Sequence, residues 1–128
     1  MPVKSPPSSQ IGMSNKEILQ KVIDAFDAND IESIVKYMAD DVEWHMLGDK
    51  IISGKDEVRK FFAENADRRM LSSTKNHVII EGDHAAVDGD VQCTGEDGKP
   101  VSLYYCDIYE LENGKVNKIV SYTLNKKQ

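Results

Sequence analysis

The chain has 128 residues, 40% hydrophobic and 30% charged, a mixture that suits one globular domain and excludes a disordered chain. A formal net charge of −6 and a pI near 5.0, with no basic cluster, argue against nucleic acid as a partner. No apolar run approaches the roughly 18 residues of a membrane span, and the N-terminus lacks the apolar core of a secretory signal. Cys93 and Cys106 are too few for a disulfide framework and form no CxxC, so a cytoplasmic protein with reduced thiols is expected.

Residues 1–13 read as a disordered tail, because Ser5-Pro6-Pro7-Ser8-Ser9 is linker-like, and residues 14–128 as one domain. Ser14 with Glu17 forms a capping box that opens a helix. Ile18, Leu19, Val22, Ile23 and Phe26 recur on its apolar face, with Lys16, Gln20, Lys21, Asp24 and Asp27 opposite. Asp30 caps a second helix with the stripe Ile31, Ile34, Val35 and Met38.

Val42 to Met46 alternates as a strand, Leu47 to Lys50 turns, and Ile51-Ile52 is a short run. Ser53 with Asp56 caps a third helix bearing Val58, Phe61 and Phe62. From about Ser72 the chain reads as strands in a meander. The last turn, Asn113-Gly114, is the strongest hairpin signal in the chain. Helices followed by antiparallel strands make an α+β fold, and small residues such as Ala85, Ala86 and Gly89 suit a strongly curled sheet.

The strand from Leu103 to Leu111 carries the chemistry. Its alternation puts Leu103, Tyr105, Asp107, Tyr109 and Leu111 on one face, so a carboxylate sits on the face that should be buried. Such a group is hydrogen-bonded, here by Tyr105 or Ser121, or its pKa is raised until it can donate a proton to a ligand. Alternation on the first strand sets Trp44 and Met46 inward and Glu43 and His45 outward, unless a β-bulge reverses the pair. The three histidines have no ligand spacing, so no metal is expected.

Three segments carry a resemblance. Ala28 to Val35 with Met38 to Trp44, Gly54 to Phe62, and Asp107 to Leu111 with Gly114 to Tyr122 together look like the NTF2-like superfamily, in its SnoaL-like and ketosteroid-isomerase-like branch. The resemblance runs from Ser14 to Leu124. It implies a cone of three N-terminal helices packed in a strongly curved antiparallel sheet, an apolar cavity, and a homodimer formed through the outer face of the sheet.

A steroid isomerase of this kind uses a carboxylate base, a tyrosine and a protonated acid. Carried over to this chain, the acid falls on Asp107, and the tyrosine falls on Val22. A supporting tyrosine falls on Phe62, and the base on His45 or Met46 according to the direction of counting. The expected catalytic residues are therefore Asp107 and His45. The expected pocket comprises Val22, Trp44, Met46, Phe62, Cys93, Tyr105, Tyr109 and Ser121. The resemblance implies a small apolar ligand and, if the protein is an enzyme, an isomerase, cyclase or dehydratase that uses no cofactor on a carbonyl compound. The alternative is a binding or dimerisation domain without turnover. An epoxide hydrolase ranks third, because its converging polar groups are not visible in the sequence.

Overall fold

The computed structural model describes residues 13–126, so the expected tail lies outside the described residues up to Gly12, while Met13 packs against the core. The first helix, α1, spans Asn15–Asp27. Its capping box forms as read: Glu17 N–H donates to Ser14 Oγ at 3.2 Å, and Ser14 N–H donates to Glu17 Oε1 at 2.8 Å. Ile18, Leu19, Val22 and Ile23 are buried. Asp30 caps α2, Ile31–Lys36, by accepting from Ser33 N–H.

Between these helices Asn29 adopts φ 55°, a left-handed conformation that asparagine tolerates better than most residues. Its amide donates to Met70 O at 3.1 Å, and its Oδ1 accepts from Met70 N–H at 3.3 Å. One side chain thus ties the helical corner to the start of a strand. Asn29→Ala loses both bonds and the preference for φ above zero, and is expected to cost about 1–3 kcal/mol in urea denaturation. A loss below about 0.5 kcal/mol, the usual range of neutral surface changes, would contradict this role.

Met38 was expected on the stripe of α2 but begins β1, Met38–Met46. Tyr37 closes the helix, and its carbonyl accepts from Val116 N–H at 2.8 Å, so pairing with the sheet ends the helix early. β1 pairs with β2, Lys50–Ser53. The expected Ser53 cap does not form. Ser53 stays in the strand opposite Glu43, and Gly54, at φ 91°, takes the N-cap of α3, Lys55–Glu64, without a side-chain bond. Four strands follow: β3, Met70–Glu81; β4, His84–Thr94; β5, Pro100–Glu112; and β6, Lys115–Asn125. Asn113 and Gly114, both at positive φ (52° and 76°), make the expected tight hairpin turn.

These strands form one sheet in the order β2-β1-β6-β5-β4-β3. The expectation of an antiparallel sheet is corrected at one pairing, since β1 and β6 run parallel. The two are distant in sequence, and the meander brings β6 back alongside β1. α3 also follows the β1–β2 hairpin, so two helices, not three, precede the sheet. The helices cover the concave face, and the core between them is built from residues such as Leu19, Ile34, Val42, Val58, Val87 and Ile119.

The edge strand β3 has a bulge that decides what faces inward. Ser73 and Lys75 pair with Val91 and Gly89, whereas Val78 and Ile80 pair with Val87 and Ala85, with a register shift between Lys75 and His77. One extra residue switches the inward set from odd to even numbers, so Lys75 joins the concave face. Gly89 permits the close approach. A Cβ there would lie on the carbonyl oxygen of Thr74 and 2.8 Å from its carbon.

Candidate functional site

Helices over a curled sheet leave a cavity of about 500 Å³, open on one side. Its apolar wall is aromatic. Trp44 stands edge-on to Phe26 and Phe61, with ring centres at 5.7 and 5.8 Å, and Phe62 is tilted against it at 5.8 Å. Met46, Phe62 and Cys93, all expected in the pocket, line it, and burial pushes the Cys93 thiol pKa up. Val22 does not line it: α1 turns that residue into the sealed core, where it has no exposure, and Ile23 and Phe26 face the cavity instead.

Asp107 lines the cavity from β5, flanked on the same face by Tyr105 and Tyr109. A fixed relay holds one of its oxygens. The indole N–H of Trp44 donates to Ser121 Oγ at 2.9 Å, and Ser121 Oγ donates to Asp107 Oδ1 at 2.7 Å. An indole can only donate, so Ser121 Oγ accepts from Trp44, and its own hydrogen is free to go to the Asp107 carboxylate. Among the described residues Oδ2 takes no hydrogen bond.

The residue is partly exposed and lines the cavity. Removal from bulk water raises the carboxyl pKa to about 6, against a smaller downward pull from the Ser121 hydrogen bond and the charge of Lys75. Burial likewise pushes the Tyr109 hydroxyl far above its ordinary range, with the charge of Asp107 adding to it. Burial also raises Tyr105, whose hydroxyl lies 3.5 Å from both Ser73 Oγ and Thr74 O.

His45 is not among the cavity residues. Its Nε2 lies 2.8 Å from Glu43 Oε1 on the outer face, and the irregularity in β1 falls before Glu43, too early to turn the ring inward. Met46, the other residue on which the base position falls, lines the cavity.

Two inward groups went unread in the sequence. Lys75 Nζ donates to both oxygens of Asp27 at 2.6 Å and to Ser73 Oγ at 3.0 Å, and all three residues line the cavity. Asp27 was expected on the polar side of α1, but it lies four residues after Ile23 and next to Phe26, on the edge of the apolar stripe. That spacing was the available signal. For Lys75 there was none, because the bulge is not written in the local pattern. Arg68, Arg69 and Asn65, after α3, form part of the rim.

An apolar cavity with one weakly acidic carboxyl can present a neutral proton donor to a ligand oxygen at about pH 6 and below. Among the described residues no cluster of three or more His, Cys, Asp or Glu could hold a metal ion. None of their helices is long and apolar enough to cross a membrane.

The family model of the SnoaL-like domain matches residues 19–119. No curated protein is similar enough to count as a relative. Solved structures share the fold. An NTF2-like protein of unknown function from Cytophaga hutchinsonii is 23% identical, with a TM-score of 0.70 over 87% of this chain and 100% of its own. The epoxide hydrolase/cyclase-like enzyme SalBIII, of pyran ring formation in salinomycin, is 18% identical, with a TM-score of 0.76 over 86% of this chain and 90% of its own. An LEH-like epoxide hydrolase from M. tuberculosis is 13% identical, with a TM-score of 0.75 over 86% and 82%. At these identities the likeness shows the fold alone.

Proposed function

The chain belongs to the SnoaL-like domain family, and from that premise we propose that it binds a small, largely apolar carbonyl compound and acts on it by cofactor-free acid/base chemistry. The observation that carries the proposal is Asp107, with Oδ1 fixed by the Ser121–Trp44 relay and Oδ2 left to the cavity. Protonated, it donates a hydrogen bond to the ligand's carbonyl oxygen and makes the neighbouring C–H more acidic. Solvent water entering the open cavity then takes that proton to form the enol and returns one on ketonisation. The aromatic wall orients the apolar body. His45 has no part in this proposal, since its ring is on the opposite face of β1.

A binding site without turnover is the second reading. One observation favours it: the other inward carboxylate, Asp27, already has both oxygens engaged by Lys75 and is a weak candidate for the base. Deuterium uptake separates the two. With 2-decalone in heavy water, an enzyme should speed exchange at the carbons beside the carbonyl, and Asp107→Asn should abolish the acceleration. Binding without any acceleration would refute the enzymatic reading and leave the second.

We also propose a homodimer through the outer face of the sheet. One cross-strand rank on that face runs Ile79, Ala86, Ile108, Val120, His45, Ile51, and Tyr104, Tyr122 and Leu124 lie exposed beside it. Sedimentation should report twice 14.4 kDa. A monomer at micromolar concentration would refute the dimer.

A further inference from the structure

Two carboxylates and one ammonium face the inner part of the cavity, and the ammonium has chosen its partner. Lys75 directs its N–H groups to both oxygens of Asp27 and to Ser73 Oγ, and its ion pair is with Asp27, not with Asp107. The alternative partner is nearby. Lys75 shares a cross-strand rank with Gly89 and Tyr105, and Tyr105 is two residues from Asp107 on the same face of β5. Gly89 has no side chain, so nothing on β4 in that rank stands between the lysine stem and the β5 residues.

We propose that Asp27 is a positioning residue: by holding Lys75 against Ser73, it keeps the ammonium off Asp107 and leaves Asp107 free to carry a proton to the ligand.

The groups around Asp107 support this assignment. From β5 it meets Tyr105 and Tyr109, from β6 Ser121, from β1 the indole N–H of Trp44, and from β4 the uncharged Val87. Cys93 lies further along β4, and Asp49, Arg68 and Arg69 lie on the rim. Lys75 is therefore the cation on the neighbouring strands that can reach Asp107, and Asp27, at the end of α1, restrains it. The charge of Lys75 already lowers the Asp107 pKa in part, as a nearby but unpaired cation would. Released, it would pair with Asp107 and leave a carboxylate where the ligand needs a donor.

The inference rests on reading Asp107 as the protonated cavity acid, and one titration series separates the failure of each. The carboxyl carbon-13 signal of Asp107 is followed against pH in the full chain without ligand. In Asp27→Asn the midpoint should fall by about one to three pH units, the usual effect of a paired cation on a carboxyl. In the double variant Asp27→Asn/Lys75→Met it should return to within about half a unit of the wild type, because the cation has gone. Ser73→Ala loosens the same restraint and should lower the midpoint by a smaller amount, which keeps the test open if Asp27→Asn does not fold.

If Asp27→Asn and Ser73→Ala leave the midpoint unmoved, or if the double variant falls as far as the single one, the positioning role is overturned. A wild-type midpoint in the ordinary aspartate range would instead overturn the reading of Asp107 itself.

Discussion

Gly89→Ala is expected to cost about 3 kcal/mol or more, at the upper end of overpacking penalties and a large share of the roughly 5–15 kcal/mol that holds a domain folded. The new methyl would land on the backbone carbonyl of Thr74, which cannot rotate away as a side-chain end could. β3 must therefore slide or lift off β4. Because β3 is an edge strand, the rest of the sheet can survive its displacement, and the damage concentrates at the bulge that turns Lys75 inward. Urea denaturation should show the loss. A variant as stable as the wild type would mean that the β3–β4 approach at this point is looser than described.

Asp107→Asn should change the pH dependence of stability by about 3 kcal/mol. The folded protein raises this carboxyl from 3.8 to about 6, and each pH unit of difference between folded and unfolded states is worth about 1.36 kcal/mol. A raised acid stabilises the fold fully below its unfolded pKa, and that contribution is lost as pH rises through the folded value. Wild-type stability should therefore decline, from this group, between about pH 4 and pH 6. Asparagine keeps an oxygen to accept from Ser121 and cannot ionise, so it escapes the decline. The variant should gain about 3 kcal/mol on the wild type between pH 4 and pH 7. Parallel stability curves would show that Asp107 is not a desolvated acid.

Much of the fold could be read from local chemistry. Ser14 with Glu17, Asp30 and Asn113-Gly114 each satisfy or bend the backbone by themselves, so the corners they mark were legible. The inward face of β5 was legible for the same reason: the two-residue period of a strand placed Asp107 beside Tyr105 and Tyr109. What escaped depends on partners far away in sequence. Met38 leaves α2 for a parallel pairing with Val116, and Ser53 gives up its cap for β2.

The site divides along the same line. Trp44, Met46, Phe62, Cys93, Tyr105, Tyr109 and Ser121 line the cavity because each follows the period of its own element. The resemblance puts Val22 at a tyrosine position, but the rotation of α1 buries Val22 and turns Ile23 and Phe26 to the cavity. Lys75 depends on a register shift, and with it Asp27 changes from an ordinary polar residue of a helix to the partner of a cavity cation. The acid was legible from the period of its own strand, whereas the pairing of Lys75 with Asp27 depends on a register shift.

The proposed chemistry depends on the protonation state of one carboxyl. Its most direct test is the carbon-13 titration of Asp107 in the unmodified protein: a midpoint near 6 is predicted, and a midpoint near the unperturbed value of about 4 would contradict it.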